Sequence, residues 1–344
     1  MGYVLFLQKI FVMQFQTEVQ IPLSRVSIRH SHHLTLMGSC FAESMGQRLV
    51  DNKFQCDVNP FGILYNPQSI AQGLTRLMDA TMYQEADVRE FEGIGWCSWG
   101  HHSRFSAMSA EEALAQMNSR LQSSSEWLRN ADFLIITFGS AWVYLLKETG
   151  RVVANCHKQP ERLFSRVLLT VPEIVSLWEP LLLRLHELNP SLHILFTVSP
   201  VRHLRDGAHA NQISKATLLL AVNELEKRMG NRVPLMYFPA YEIMMDELRD
   251  YRFYADDMAH PSTVAEQYIW ERFEKAFFDA ETRSVIEEWT EIRRALNHRP
   301  FHPESEEYKR FIRQTLLKIE AIKEKMPYFD TQKEIQQCHT LLNR

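Results

Sequence analysis

LTLMGSCFAESMGQRL, residues 34–49, joins a short apolar run to an amphipathic helical pattern through a turn of small residues, Gly38-Ser39-Cys40. Apolar residues on successive positions mark a strand covered on both faces, which is the place of a parallel strand between two helix layers. The alternation recurs along the chain. Further apolar runs lie at 132–139 (DFLIITFG), 192–198 (LHILFTV) and 234–239 (PLMYFP), with helical patterns at 110–131, 172–189 and 214–230. This order predicts an α/β fold with a doubly wound, mainly parallel sheet flanked by helices. Helix punctuation agrees: Thr170-Val171-Pro172 sets a proline in the first turn of one helix, and Gly230 stands at the C′ position of another.

The 344 residues are 45% hydrophobic and 23% charged, which suits a soluble globular chain with a sizeable core and argues against disorder. A formal charge of -4 leaves no basic field to attract nucleic acid or an anionic membrane, so neither is an expected partner. Five cysteines, Cys40, Cys56, Cys97, Cys156 and Cys338, are scattered without a CxxC pair, which argues against a disulfide framework or a zinc ribbon. Metal-ligand spacing, a dinucleotide-binding GxGxxG and a Walker loop are all missing, so the expected chemistry uses no cofactor and no metal. The opening MGYVLFLQKIFVM lacks a basic stretch and a small-residue cleavage site and is too short to span a bilayer. Met13 is an alternative start, and the cytoplasm is the expected location, with export as the alternative. After about residue 280 the strand patterns stop. Residues 25–280 read as the α/β domain and 281–344 as a helical C-terminal extension, packed on that domain or used to form a homo-oligomer.

In an open α/β sheet, ligands sit outside the carboxyl ends of the strands. The residues just after the apolar runs are polar here: Gly38-Ser39-Cys40, then Gly139-Ser140-Ala141-Trp142, then Ser199-Pro200-Val201-Arg202-His203. Late in the chain, RFYADDMAHPS (252–262) carries Asp256, Asp257 and His260 in a turn ahead of a helix pattern. A serine on a tight turn at a helix N-terminus can attack a carbonyl while backbone N–H groups and the helix dipole favour the oxyanion. It needs a base. His260 can accept the hydroxyl proton, and Asp257, three residues earlier, can hold the imidazole in the required tautomer.

GSCFA at 38–42, taken with YADDMAHPS at 254–262, resembles the GSCFA family, which is similar to the SGNH (GDSL-like) hydrolases. The resemblance runs from about residue 30 to about residue 275 and implies a three-layer α/β/α fold of SGNH or flavodoxin-like kind. It also implies acyl-ester hydrolysis through a serine acyl-enzyme. Ser39 matches the block I nucleophile, Asp257 and His260 the block V DxxH pair, and Gly62, in NPFGILYNP, the block II glycine whose N–H lines the oxyanion hole. Where block III has GxND, this chain reads Gly139-Ser140-Ala141-Trp142, without the Asn side-chain donor. Loss of one such donor costs about 2.7–4 kcal/mol of transition-state stabilisation. The oxyanion donors implied are therefore the Ser39 N–H, Gly62 and the turn at Gly139 and Ser140. By analogy of fold, the substrate is a small acyl ester, acetyl for preference, on a carbohydrate or related alcohol.

Each assignment has a plainer competitor. Ser39 could be an ordinary helix N-cap. Cys40 could serve as nucleophile in an acyltransferase, although a small packing residue turned back under the helix, with Ser39 facing the cleft, is preferred. Asp256 and Asp257 could cap the next helix. Asn155 and His157 are candidate pocket residues against a structural role, and Arg202 is a candidate substrate contact against a salt bridge with Asp206. His203 reads as structural. The aromatic stretch GIGWCSWGHHSRF (93–105) is either a sugar-stacking platform or a β-hairpin packed on the core. Two functions follow: a serine esterase, or a catalytically silent carbohydrate-binding or scaffold protein on the same fold. The first requires Ser39 Oγ within reach of His260, with a looser contact in the free enzyme.

Overall fold

The computed structural model describes residues 17–22, 24 and 26–343. The apolar opening with Met13 lies outside the described residues. Chain order is β1 (His33–Gly38), α1 (Cys40–Asp51), β2 (Gln55–Val58), α2 (Pro67–Asp79), β3 (Arg89–Phe91), β4 (Gly95–Cys97), α3 (Ala110–Arg129) and β5 (Phe133–Phe138). There follow β6 (Trp142–Leu146), β7 (Val152–Val153), β8 (Phe164–Leu168), α4 (Val171–Leu188), β9 (His193–Val198), α5 (Gly207–Met229) and β10 (Leu235–Phe238). A single turn, α6 (Ala240–Glu242), precedes α7 (Thr263–Phe277), α8 (Ala280–Asn297), α9 (Glu306–Lys325) and α10 (Gln332–Leu342).

The central sheet has five parallel strands in the order β10-β9-β5-β1-β2. Side chains alternate between its faces, as the two-residue period of a strand requires. Leu34 and Leu36 of β1, Phe133 and Ile135 of β5 and Leu195 of β9 pack towards α1 and α7. Met37, Ile136 and Phe196, one residue out of phase, pack towards α2, α3, α4 and α5. Both faces are thus covered, and the apolar runs of the sequence are the three-layer α/β/α sheet expected. Chain order reverses direction between β1 and β5, which makes their carboxyl ends the switch point of the sheet. Gly38 pairs with Thr137 and Phe138 with Val198, so β1, β5 and β9 end level.

Local signals behave as the residues dictate, with two differences. Thr170 caps α4 in a reciprocal box with Glu173, and Pro172 sits in the first turn. The helix expected over 214–230 begins at Gly207, and in the turns before Ser214 only Asn211 is buried. Gly230 caps that helix with right-handed dihedrals (φ -59), so it is not the left-handed C′ glycine expected. The aromatic stretch at 93–105 takes the hairpin alternative: β3 and β4 pair antiparallel, and Phe91, Cys97 and Phe105 enter the core. A second small sheet, β7-β6-β8, follows directly from β5.

The C-terminal helices have their own core, centred on Trp289, Ile292, Ile312 and Ile319. It docks on the sheet domain: the Trp289 indole N–H donates to the Asp51 carbonyl at 3.0 Å, and Lys53 pairs with Glu334 at 2.9 Å. The Phe329 ring lies 5.1 Å from that of His30. Among the described residues, no helix is long and apolar enough to cross a membrane.

Candidate functional site

Ser39 leaves β1 at a crowded corner. Gly38 has φ +151, and a Cβ there would stand 2.3 Å from the Thr137 carbonyl oxygen, so only glycine lets β1 run this close to β5. The Gly38 N–H donates to Asn59 Oδ1 at 2.9 Å, and the Asn59 amide donates to Glu43 at 2.6 Å. Arg104 donates to Glu43 at 2.6 Å and to the Asn59 carbonyl at 2.7 Å, which closes a polar brace behind the turn. Sequence reasoning passed over Asn59. Its position in the NPFG turn, with φ 45, was the available signal, since Asn tolerates the left-handed region.

Ser39 is the N-cap of α1, and its Oγ accepts the Phe41 N–H at 3.3 Å. It is 1% exposed, whereas Cys40 is half-buried. Cys40 packs against the core that also holds Phe41 and Met45, the packing role preferred for it. The capping bond draws the hydroxyl inward, and Gly139 closes over it: a Cβ on Gly139 would lie 3.2 Å from Ser39 Cβ. Burial pushes the Cys40 thiol pKa up, the reverse of what a thiolate nucleophile needs.

The four backbone N–H groups expected to line an oxyanion hole are all engaged in this structure. Ser39 donates to the Thr137 carbonyl at 3.3 Å, Gly62 to Asn59 at 2.8 Å, and Gly139 and Ser140 to Tyr65 at 2.7 and 2.9 Å. Gly62 has a structural reason of its own: φ is +78, and a Cβ would meet His102 Cβ at 2.3 Å. The Ser140 hydroxyl is spent as well, accepting the Trp142 N–H at 3.2 Å and facing Ser214 Oγ at 3.2 Å.

Asp257 and His260 do form a pair. Asp257 Oδ1 accepts the N–H groups of Ala259 and His260, both at 2.9 Å, and Oδ2 receives His260 Nδ1 at 2.6 Å. The His260 backbone N–H, then that of Ala259, then the ring hold the Asp257 pKa down at about 2. An anionic carboxylate on Nδ1 selects the tautomer with its proton there, leaving the Nε2 lone pair as an acceptor. Ser262, and neither Asp256 nor Asp257, caps α7. No hydrogen bond joins Ser39 Oγ to His260 in this structure: the serine hydroxyl accepts the Phe41 N–H, and the His260 ring is bound to Asp257.

The other expected pocket residues have structural employment. His157 is fully buried, with Nδ1 3.0 Å from Ser103 Oγ and Nε2 2.9 Å from the Ser98 carbonyl, and its ring packs 4.3 Å from Phe91. Asn155 accepts the His157 N–H at 2.8 Å. His157 is not a free pocket group, because Phe91 of the 89–97 hairpin packs over its ring, whereas Asn155 stays partly exposed. Arg202 does not pair with Asp206, which binds Arg166 instead. Its N–H donates to the Ala259 carbonyl at 2.9 Å and its guanidinium to the Met258 carbonyl at 3.3 Å, so it braces the turn that carries His260.

That brace leads to α5, whose role the sequence did not disclose. Asn211, Ser214 and Lys215 are buried on one helical face. Asn211 accepts the His203 N–H at 2.8 Å, Ser214 accepts the Ala141 N–H at 2.8 Å, and Lys215 Nζ donates to the carbonyls of Gly139 and Ser199, each at 2.7 Å. Three side chains at i, i+3 and i+4 thus hold the loops that follow β5 and β9. Burial lowers the Lys215 pKa to about 7. Burial also lowers that of His203 to about 4, with Lys215, His260 and Arg166 contributing. The signal in sequence was a polar stripe, NxxSK, on the inward face of an otherwise apolar helix.

Fold and loops define a doubly wound α/β/α protein whose Ser39 turn and Asp257–His260 turn lie at the carboxyl end of a parallel sheet. Sequence comparison gives its kin: the profile of the GSCFA family matches residues 33–273, and that of the GSCFA domain protein, C-terminal domain, matches 289–344. The chain belongs to the GSCFA family. No curated protein matches it. Among solved structures, an acetyl xylan esterase (Est2A) from the rumen bacterium Butyrivibrio proteoclasticus is similar at 12% identity and a TM-score of 0.36. The match covers 73% of this chain and 64%, less than two thirds, of that one. Among the described residues, no group of three or more His, Cys, Asp or Glu is placed to hold a metal ion.

Proposed function

We propose that this protein is a serine hydrolase that cleaves a small acyl ester, acetyl on a carbohydrate being the preferred substrate. The observation that carries the reading is the Asp257–His260 pair, Oδ2 to Nδ1 2.6 Å, built by a turn whose two backbone N–H groups keep the carboxylate ionised. His260 Nε2 is left as a base at the end of the sheet that also bears Ser39. In the first step Ser39 Oγ turns from the Phe41 N–H and bonds to the acyl carbon. Its proton passes to His260 Nε2, and the carbonyl π pair moves onto oxygen. Collapse breaks the bond to the alcohol, which leaves with the proton from His260, and water repeats the sequence on the acyl-enzyme. Of the four engaged backbone donors, the Ser39 N–H has the longest bond, 3.3 Å, and is the easiest to redirect to the oxyanion.

A serine-directed fluorophosphonate, mapped by peptide mass spectrometry, tests this without knowledge of the substrate. Label on Ser39 that disappears in His260→Ala is the expected result. A folded protein that takes no label would refute it. The second reading, a silent carbohydrate-binding or scaffold protein, is favoured by the engagement of all four backbone donors. It predicts no label, and sugar binding that survives Ser39→Ala.

A further inference from the structure

We propose that His203 is a further catalytic residue of the Ser39 site, donating from Nε2 to the substrate carbonyl oxygen as that oxygen becomes anionic. The assignment rests on the hydrolase reading above. Beside the Ser39 N–H, such a site needs a second donor: the backbone N–H groups at 62, 139 and 140 are held by shorter bonds, and the chain has no Asn where GxND would supply one.

His203 Nε2 is a buried polar atom with no partner among the described residues. Leaving such an atom unpaired costs about 1–3 kcal/mol, and this one lies in the loop after β9, the neighbour of β5, which Gly139 directly follows. The ring packs 5.9 Å from that of Tyr65. The Tyr65 carbonyl holds the N–H groups of Gly139 and Ser140, and Tyr65 Cβ and Ser39 Cβ both lie within 3.2 Å of a Cβ built on Gly139. Tyr65 therefore connects the imidazole to the wall of the serine turn.

The backbone beneath His203 is fixed from two sides. Its N–H is bound to Asn211 Oδ1 at 2.8 Å, and that of Arg202 to the Ala259 carbonyl at 2.9 Å, in the turn that presents His260. Burial, with Lys215, His260 and Arg166 nearby, disfavours the imidazolium. A neutral ring with its hydrogen on Nε2 donates a hydrogen bond without taking up a proton, so it does not compete with His260 for the proton of Ser39. The two imidazoles divide the work: His260 moves the proton, and His203 meets the charge that builds on oxygen.

Steady-state hydrolysis of p-nitrophenyl acetate tests this with the wild type, Ser39→Ala, His203→Phe, His203→Leu and His203→Gln, each checked for folding by its urea midpoint. Glutamine places an amide N–H near Nε2, whereas phenylalanine and leucine have no donor. In the donor-free variants kcat is expected to fall about 100- to 1000-fold with KM within about threefold of wild type, and His203→Gln should recover at least about tenfold. A folded donor-free variant with kcat within about threefold of wild type would overturn the assignment, and equal losses in all three His203 variants would reduce His203 to a structural part. Wild type without Ser39-dependent turnover or label would defeat the hydrolase reading itself, and this assignment with it.

Discussion

Lys215→Met isolates a buried amine whose charge depends on pH. In the wild type, Nζ is 1% exposed by residue, donates to the Gly139 and Ser199 carbonyls at 2.7 Å, and lies 5.6 Å from the Tyr241 ring centroid, with the Cys40 thiol within electrostatic reach. Burial lowers its pKa from the ordinary 10.5 to about 7. Between those values the unfolded chain holds the proton and the folded one does not, so wild-type stability rises with pH. The slope is about 1.4 kcal/mol per pH unit. From pH 7 to 9 that amounts to about 3 kcal/mol, and methionine removes the whole of it. Methionine also deprives two carbonyls of their donor, at about 1–3 kcal/mol each, partly offset below pH 7 by no longer burying an ammonium. The variant should therefore lose about 3 kcal/mol more, relative to wild type, at pH 9 than at pH 6. Urea unfolding followed by circular dichroism at pH 6, 7.5 and 9 measures the difference, and titration of groups common to both proteins cancels. A wild-type advantage that stays constant across this range would refute the reasoning.

Asp257→Asn keeps an acceptor for the turn but removes the anion that fixes the His260 tautomer, and should lower kcat on p-nitrophenyl acetate about a hundred- to ten-thousand-fold with at most a modest fall in the urea midpoint. Gly139→Ala would set a methyl 2.9 Å from Tyr65 Cβ. It should cost about 1–3 kcal/mol in urea unfolding and slow fluorophosphonate labelling of Ser39, because Tyr65 or the serine turn must shift. Trp289→Ala empties the centre of the C-terminal core and removes the donor to Asp51, and should cost about 3–5 kcal/mol by the same measurement.

Strands and layers were legible because burial on both faces forces unbroken apolar runs, and DFLIITFG became β5 with every residue from Phe133 to Phe138 buried. The Asp257 and His260 pair was legible because it closes within one turn, so spacing alone approximates its geometry. What lay hidden depends on contacts between distant segments. Nothing in residues 207–215 announces that Asn211, Ser214 and Lys215 reach loops beyond β5 and β9, since an inward polar stripe reads the same whether it meets carbonyls or water. The engaged N–H groups were hidden for the same reason: the Tyr65 carbonyl that takes two of them lies more than seventy residues upstream. His157 misled because a histidine after a strand looks available until the 89–97 hairpin is folded over it.

Helix α8 runs unbroken from Ala280 to Asn297, with Ile286 set in the core beneath the sheet and Trp289, one turn on, in the core of the last helices. One rigid rod is thus shared by two hydrophobic centres, and no slack linker lies where they meet. The C-terminal helices cannot swing as a hinged flap without bending that rod or stripping apolar surface from one end of it. Mechanically the seam is a splice, so ending the chain at 273, where the first matched stretch stops, would discard Phe277, Phe278 and Ile286 from a core that needs them.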